Sequence, residues 1–453
     1  MGRLFGTDGV RGIANRELTP ELAFSLGKAL CHELKKTDSA PTVVLGKDTR
    51  LSCDLLEQAV SAGIMVYGGT VIKVGVLPTP AVALITREYG AGAGIVISAS
   101  HNSFEYNGIK VFNSEGMKLS DAMEEEIEDL IISNVDPSDR LTGTGIGRTY
   151  DASDDARRIY EDHLMRTVDF KLLGKKIVLD CANGACFKIA PEVFMRLGAD
   201  VYTIGNTPDG TNINDRCGST APESLARAVR EIGAQAGFAF DGDGDRLITV
   251  DEEGRILDGD RAVGICAMDL KGSGRLDNMV VTTSVMSNSG LWKTLEEEGI
   301  RVEITGVGDR YVLDKMLETG CVLGGEQTGH MIFSEYSTAG DGILSALQIM
   351  RAVRNSGMSL AELYDKITIY PQVLLNARIQ NEFKKTYLKD PDIQRILQET
   401  EETLKDRGRL VIRTSGTEAV IRILIEGDSE QEIRSLAEAI ASMIEEKYGG
   451  DPS

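Results

Sequence analysis

Short apolar segments alternate with helical patterns in three successive rounds along this chain, and this alternation limits its fold more than any other feature. The predicted strands cover residues 42–45, 70–74, 94–98, 176–180, 201–204, 237–240, 279–283, 302–305 and 321–324. The predicted helices between them cover residues 51–67, 81–89, 189–197, 223–232, 289–298 and 309–318. Strands that alternate with helices form parallel sheets with helices on their faces. The sequence therefore predicts three similar α/β domains.

The chain changes character after about residue 368, where a smaller C-terminal α+β domain is predicted. Its strands are expected over 373–379, 410–413 and 420–425, before a helix from Ser429 with Glu432 completing a capping box. The apolar face of that helix is predicted to hold Ile433, Leu436, Ile440 and Ile444. With 453 residues, the chain is longer than one hydrophobic core ordinarily accommodates, so we expect several domains. We predict domains over 1–150, 151–254, 255–367 and 368–453, around a central cleft, with a first linker near 136–153.

Composition and charge limit the partners and the cellular location that we expect for this chain. A net charge of −21 opposes non-specific binding of nucleic acid, so we expect no nucleic-acid partner. The seven cysteines are scattered without metal-like spacing, which is typical of reduced thiols in a cytoplasmic protein. We find neither a signal peptide nor an apolar stretch near the roughly 18 residues that span a membrane. The oligomeric state stays open, with a homodimer as one option.

Three carboxylates at alternate positions give the strongest local signal. Asp241, Asp243 and Asp245 follow a predicted strand and are separated by glycines. Like charges this close are unfavourable unless a cation offsets them, and oxygen ligands suit a hard ion such as Mg²⁺. An EF-hand calcium loop is the main rival. It is rejected because Arg246 stands where that loop requires glycine, and because strands rather than helices flank the segment.

The second signal is a serine beside a histidine at the end of an apolar strand. Ser100 and His101 occupy the strand end where ligands gather in open α/β sheets. Acyl transfer is one use for such a pair, but no G-x-S-x-G segment surrounds it. Acceptance of a phosphoryl group beside a metal ion is the other use. Lys110, ten residues on, is within reach as an acid or a base.

Three further segments are weaker on their own. Residues 413–418 read Arg-Thr-Ser-Gly-Thr-Glu, with Arg422 beyond, and fit either a phosphate cradle or a plain hairpin turn. Residues 325–330 carry hydroxyl-binding groups between glycines, as a sugar site does. Residues 6–12 form a glycine-rich turn with Arg11. His101 and His330 taken alone are more typical of structural or surface positions.

Together these segments resemble the α-D-phosphohexomutase superfamily, over essentially the whole chain and in the family's order. Residues 5–12 and 325–330 are most similar to the branch that acts on glucosamine phosphates. The resemblance implies that Ser100 carries a phosphoryl group and completes a Mg²⁺ site with the three aspartates. It implies that His101, Lys110, Arg246 and Arg11 are catalytic. It assigns Glu326 and Thr328 to the sugar, and it assigns the distal phosphate to Arg413, Ser415, Gly416, Thr417 and Arg422.

The resemblance implies an isomerase that interconverts glucosamine 6-phosphate and glucosamine 1-phosphate in amino-sugar nucleotide synthesis. A hexose 1,6-bisphosphate would be intermediate and activator. Glucose or mannose phosphates as substrates, a non-catalytic phosphosugar-binding role and a phosphatase are the alternatives. Ser103, Thr414 and Ala419 replace prolines of the family pattern, which predicts looser loops. Thr328 replaces a serine, and this change bears on substrate preference.

Overall fold

Four β-sheets of six, five, four and three strands follow one another along the chain in this computed structural model. The structure describes residues 4–6, 8–133, 141–405, 407–415 and 419–449. Within them, none of the helices combines the length and the apolar character needed to cross a membrane.

The first sheet has the strand order β1-β5-β4-β2-β3-β6. Its three central strands β4, β2 and β3 run parallel, whereas β5 pairs antiparallel with both β4 and β1. Its elements are β1 (Val10–Ile13), α1 (Pro20–Leu34), β2 (Thr42–Lys47), α2 (Cys53–Val66), β3 (Thr70–Val76), α3 (Thr79–Glu88), β4 (Ala93–Ile97), β5 (Tyr106–Asn113), α4 (Asp121–Ile132) and β6 (Thr149–Asp151).

The second sheet has the order β11-β10-β9-β7-β8, in which β7 lies parallel to β8 and β9. The β9–β10 pair is antiparallel, so the chain reverses between them at residues 241–246. Its elements are α5 (Ser153–Arg166), β7 (Lys176–Asp180), α6 (Ile189–Arg196), β8 (Asp200–Ile204), α7 (Glu223–Ile232), β9 (Ala236–Phe240), β10 (Leu247–Asp251) and β11 (Ile256–Leu257).

The third sheet has the order β13-β12-β14-β15 and ends in an antiparallel β14–β15 pair, which places residues 326–330 in the connecting loop. Its elements are α8 (Gly259–Gly272), β12 (Val280–Ser284), α9 (Ser289–Glu297), β13 (Arg301–Thr305), α10 (Asp309–Thr319), β14 (Leu323–Gly325), β15 (Met331–Phe333), α11 (Gly342–Ser356) and α12 (Leu360–Tyr364).

The last sheet is antiparallel throughout, with the order β16-β18-β17. Its elements are β16 (Gln372–Arg378), α13 (Pro391–Leu404), β17 (Gly408–Thr414), β18 (Val420–Gly427) and α14 (Glu430–Tyr448). The Ser429 hydroxyl caps α14 by accepting from the Glu432 backbone N–H, and Ile433, Ile440 and Ile444 are buried as predicted. The buried face of α14 also contains Ala437, whereas Leu436 is only partly buried.

Three α/β units and a smaller C-terminal unit confirm the predicted fold class. The alternation pattern did not reveal β1, β5, β6, β11 or β15. Part of the predicted linker forms β6, whose backbone pairs with the otherwise open edge of β3. In β5, Asn107 and Lys110 are buried polar residues, so this strand lacks the apolar signature used to find the others.

The buried apolar residues show how the units are joined. One continuous cluster runs from Val44 in β2 to Ile367 after α12 and so includes residues of the first three units. The C-terminal unit packs its own cluster, from Val373 to Ile444, between its sheet and its helices. Apolar burial therefore ties the first three units together more than it ties the fourth to them.

Candidate active site

The candidate site forms where loops from the first three sheets meet. Ser100 follows β4, and Asp241, Asp243 and Asp245 follow β9. Glu326 lies in the loop between β14 and β15. The backbone of Arg246 pairs with that of His330, which links the aspartate loop to the third sheet. Segments far apart in sequence are thereby brought to one place, as ligand sites of α/β folds require.

Ser100 is only 1% exposed. Its hydroxyl donates to Asp241 Oδ2 at 2.6 Å, and its Oγ lies 3.3 Å from His101 Nδ1. Its backbone has a φ of 52°, a left-handed conformation that is unfavourable for residues other than glycine. Such conformations persist where the surroundings impose them, and they are concentrated at functional sites.

Asp241, Asp243 and Asp245 place one carboxylate oxygen each within 4.8 Å of one another, and all three side chains are buried. Burial, and then the charges of Asp245 and Asp243, raise the pKa of Asp241 well above its usual value. Within the described residues, Asp243 Oδ1 and Asp245 Oδ1 are buried without a hydrogen-bond partner. Three buried carboxylates at this spacing, two of which have an oxygen that accepts no hydrogen bond, match the ligand set of a divalent cation, so the cluster has the chemistry of a metal site.

Lys110 contacts this cluster from β5. Its Nζ lies 2.8 Å from Asp243 Oδ2, 3.4 Å from Asp245 Oδ2 and 2.9 Å from Asp8 Oδ2. Burial alone would lower the pKa of Lys110, but the charges of Asp243, Asp8 and Asp245 raise it well above its usual value. This arrangement keeps Lys110 a buried cation and, of the two predicted roles, acid and base, disfavours the base.

Two arginines lie beside the serine and its histidine. Burial, and then the charges of Arg246 and Arg11, lower the pKa of His101 to about 4, so its imidazole is neutral at pH 7. In the described part of the chain, Arg246 Nε and Arg11 Nε are buried without hydrogen-bond partners. Arg11 pairs with Asp8, whose pKa the nearby cations hold low although burial opposes them. Two arginines and several buried carboxylates therefore lie together near Ser100.

The β14–β15 loop presents Glu326 and the exposed Thr328. The Gly308 N–H donates to Glu326 Oε1 at 3.1 Å, and this bond fixes the carboxylate. Gly329 closes the loop at a φ of 88°, where an added Cβ would lie 2.1 Å from the Leu247 carbonyl oxygen, so no larger residue fits there. Next to Glu326, Gln327 donates to Gln372 Oε1 of β16 at 2.8 Å, which connects the loop to the C-terminal unit.

The predicted phosphate segment leaves β17, where Arg413 lies directly opposite Arg422 of β18. Burial, and then the charge of Arg422, lower the pKa of Arg413, while Glu326 opposes this shift. Ser415 is buried, and Lys384 Nζ donates to its carbonyl oxygen at 3.1 Å. Gly416 and Thr417 lie outside the described residues. The effect of Glu326 on the pKa of Arg413 shows that the β14–β15 loop and this arginine of the C-terminal unit are close enough to interact.

Several contributors escaped sequence reasoning. Asp8 lies in the turn that was singled out only for Arg11. Thr79, at the start of α3, donates a hydrogen bond of 2.5 Å to Asp243 Oδ2. Lys118 pairs with both Asp8 and Asp309 at 2.7 Å. No local motif surrounds Thr79 or Lys118, and their roles depend on contacts between units. Only for Asp8 was there a signal, because it lies three residues before Arg11 in a glycine-rich turn.

The geometry can be compared with known proteins. The phosphoglucomutase/phosphomannomutase family matches this chain with its α/β/α domain I over 2–136, domain II over 158–254, domain III over 258–370 and C-terminal domain over 374–443. The phosphoglucosamine mutase of Caldicellulosiruptor bescii is 50% identical over 451 residues, covering 99% of this chain and 100% of that protein.

Two solved structures have a similar fold. A phosphoglucomutase/phosphomannomutase family protein from Burkholderia thailandensis has a TM-score of 0.80 at 22% identity, covering 99% of this chain and 98% of that one. The N-acetylphosphoglucosamine mutase of Aspergillus fumigatus, solved with GlcNAc-6P and magnesium, has a TM-score of 0.67 at 17% identity, covering 99% and 96%. With four family domains matched in order, this chain belongs to the phosphoglucomutase/phosphomannomutase family.

Proposed function

We propose that this chain is a phosphosugar mutase that interconverts glucosamine 6-phosphate and glucosamine 1-phosphate through a phosphorylated Ser100. The observation that carries the proposal is the Ser100 hydroxyl, buried and bonded to Asp241 beside a cluster of three carboxylates. A serine that only stabilised the loop would not need a cation site on one side and Arg11 and Arg246 on the other.

The transfer itself exchanges one phosphate ester for another. The bond from phosphorus to Ser100 Oγ breaks as a bond forms to the free 1- or 6-hydroxyl oxygen of the sugar phosphate, and the hydroxyl proton ends on Ser100 Oγ. The product is the 1,6-bisphosphate. Return of its other phosphoryl group to Ser100 completes the isomerisation. Arg11, Arg246 and protonated Lys110 balance the charge on the transferring group.

Asp241, Asp243 and Asp245 are the residues that would hold Mg²⁺, together with an oxygen on Ser100. The ion would add positive charge at the transferring phosphoryl group. The Aspergillus fumigatus relative was solved with magnesium, which supports the choice of ion. His101 stays neutral at pH 7 and is near enough to orient the serine oxygen.

The other end of the substrate would be held by the sugar loop and the C-terminal unit. Glu326 and Thr328 would bind sugar hydroxyls, while Arg413, Ser415, Gly416, Thr417 and Arg422 would bind the phosphate that is not transferred. Because either phosphate must reach Ser100 in turn, the bisphosphate has to reverse its orientation. The C-terminal unit would therefore close and reopen during turnover.

The choice of glucosamine rests on the relative from Caldicellulosiruptor bescii, half of whose residues this chain shares. It is tested by comparing kcat/KM for the 1-phosphates of glucosamine, glucose and mannose. A clear preference for the glucosamine ester is expected. An equal or higher value for glucose or mannose would assign the chain to another hexose specificity.

The phosphoenzyme is tested by intact mass and peptide mapping, before and after incubation with glucosamine 1,6-bisphosphate or glucose 1,6-bisphosphate and Mg²⁺. We expect a phosphoryl group (about +80 Da) on the peptide that contains Ser100, removable by a phosphatase. A peptide that stays unmodified under all these conditions would contradict the proposal and favour a phosphosugar-binding protein. Fast release of inorganic phosphate without sugar isomerisation would favour a phosphatase.

A further inference from the structure

Two side chains outside the proposed catalytic set hold the backbone of the reactive-serine loop. Arg50 lies after β2 in the first unit, and Asn214 lies between β8 and α7 in the second unit. Arg50 Nη2 donates to the carbonyl oxygens of Ser100 and Asn102, each at 2.9 Å. Asn214 Nδ2 donates to the same two carbonyl oxygens, also at 2.9 Å each. Two NH₂ groups from different units thus share one pair of acceptors.

The guanidinium of Arg50 is fixed on both sides. Its Nε donates to Asp48 Oδ2 at 2.9 Å, and its Nη1 donates to the Ser103 carbonyl oxygen. Arg50 is 2% exposed, and Asp48 is 1% exposed. Ser103 stands where the family pattern has proline, yet its carbonyl is held by Arg50. The loop is therefore restrained by hydrogen bonds at a position where a proline ring is missing.

Asp48 also reaches the serine by a second route. It accepts from the Ser98 hydroxyl at 2.6 Å, and that hydroxyl accepts from the Ser100 backbone N–H at 3.0 Å. Both polar backbone atoms of Ser100 are therefore bonded to groups that Asp48 orders. This explains how Ser100 is kept at a φ of 52°, a conformation that is unfavourable without such support.

Asn214 is suited to its position in two respects. Its φ of 58° is a left-handed conformation that asparagine tolerates better than most residues. Both of its contacts are carbonyl oxygens, so the amide nitrogen, which is a donor, must be the atom that faces them. On the same interface, an added Cβ on Gly242 would lie 2.5 Å from the Ser100 carbonyl oxygen. The serine loop and the aspartate loop therefore fit together without space for movement.

From this geometry we infer that Arg50 and Asn214 are positioning residues that set the orientation of Ser100 Oγ for phosphoryl transfer. They act on the loop backbone and touch neither the substrate nor the transferring group. The inference rests on the proposed function, because it assumes that Ser100 is the phosphoryl carrier. It predicts an effect on the rate of transfer and not on substrate binding, since a displacement of about 1 Å at a reacting atom can cost roughly 10²-fold in rate.

The variants are Arg50→Lys and Asn214→Gly. Lysine keeps the charge of Arg50 but lacks the fork that reaches three carbonyls. Glycine keeps the left-handed backbone at Asn214 and removes only the amide. The matched controls are Arg351→Lys, where Arg351 Nε contacts Asp269 Oδ2 at the same 2.9 Å in a buried pair between α11 and α8, and Asn15→Gly, at an exposed asparagine with a φ of 61°.

The measurement is the single-turnover phosphorylation of Ser100 by glucose 1,6-bisphosphate and Mg²⁺, followed by intact mass, together with kcat and KM. We expect both test variants to reach the full extent of phosphorylation at a rate constant lowered by about 10- to 100-fold. KM should change little, and both controls should match wild type. A lower extent of phosphorylation at an unchanged rate constant would indicate partial unfolding and overturn the positioning role.

Wild-type rates in both variants, or a raised KM with unchanged kcat, would also overturn it. If Arg50→Lys does not fold, Asn214→Gly decides the outcome alone, because its backbone conformation is preserved. Failure of the proposed function is a separate result, since the wild-type protein itself would then take up no phosphoryl group at Ser100.

Discussion

The two halves of the proposed site, the surroundings of Ser100 and the C-terminal segment around Arg413, arrange their charges in opposite ways. Around Ser100, buried anions and cations alternate at short range, as where Lys110 contacts Asp243 at 2.8 Å and Asp8 at 2.9 Å. At the C-terminal unit, Arg413 faces Arg422 across a strand pair, and Arg413 Nε has no hydrogen-bond partner within the described residues. The first half is assembled before any substrate arrives. The second keeps like charges together, and an anionic ligand would offset them.

The two halves also differ in how their apolar residues are packed. The units that carry Ser100, the aspartates and Glu326 share one apolar cluster, whereas the C-terminal unit has its own. Polar contacts join it to the third unit. Glu426 is fully buried and accepts from Arg409, from Ser289 and from Gln372, which in turn accepts from Gln327 beside Glu326. The units that carry the proposed phosphoryl carrier and metal ligands are thus joined by apolar packing, whereas the unit that carries the proposed phosphate-binding arginines is joined to the third unit by polar contacts.

The largest expected effect is in the half of the site around Ser100. Ser100→Ala removes the proposed phosphoryl carrier and should lower mutase activity by roughly 10³-fold or more while the fold is kept. Activity is measured by coupled assay, and the fold by circular dichroism. Wild-type turnover in this variant would show that the assembled half does not carry the reaction through Ser100.

Metal binding offers the next test. Mg²⁺ at about 100 times its dissociation constant would stabilise the wild-type protein by about 2.7 kcal/mol, measured as a rise in melting temperature. Asp241→Asn should abolish this rise. Without metal, the variant should melt above wild type, because burial and the neighbouring carboxylates disfavour the charged form of Asp241 at pH 7.

Asp180→Asn is the matched control for the metal test. Asp180 ends β7, next to β9 in the same sheet, and burial raises its pKa to about 6. Its carboxylate accepts from the Ala182 and Gly218 backbone N–H groups and lies outside the metal cluster. The response to Mg²⁺ should survive in this variant. An equal loss of the response in both variants would argue against a specific site at Asp241.

A smaller effect is expected in the C-terminal half of the site. Arg413→Gln should raise KM about 10- to 100-fold and affect kcat less, because a charge-assisted hydrogen bond to phosphate is worth about 1.5–3 kcal/mol. Stability should be unchanged or higher, since like charges face each other across the strands. The control is Arg434→Gln on α14, where the arginine pairs only with Glu430 among the contacts described. A loss in kcat alone would place Arg413 with the reacting groups and break the comparison.

The smallest effect concerns the link between the halves. Gln372→Ala removes the hydrogen bonds with Gln327 and Glu426. Because one hydrogen bond contributes about 1 kcal/mol, we expect KM to rise about fivefold. Gln394→Ala is the control, since this exposed glutamine donates only to the Leu388 carbonyl among its described contacts. Steady-state kinetics on both variants check this. No change in KM for Gln372→Ala would mean that the C-terminal unit and the sugar loop act independently.

The sequence was informative where one segment carries its own chemistry. The Asp-Gly-Asp-Gly-Asp pattern predicted a carboxylate cluster, because glycines between acids let three side chains converge whatever surrounds them. Apolar strands were found for the same reason, since burial on both faces leaves a continuous run of residues such as Ala236–Phe240. It was less informative for β5 and β6, whose pairing depends on neighbours far along the chain.

Local patterns of side chains were thus enough to predict the α/β alternation, the smaller last unit and the order of the chemical segments. Only the tertiary structure decided that Lys110 is buried among Asp8, Asp243 and Asp245, and that Arg50 and Asn214 hold the loop of Ser100. The physical reason is that charge pairing and burial act through space. The pKa of Lys110 and the strained φ of Ser100 therefore depend on partners more than 100 residues away, which no local pattern records.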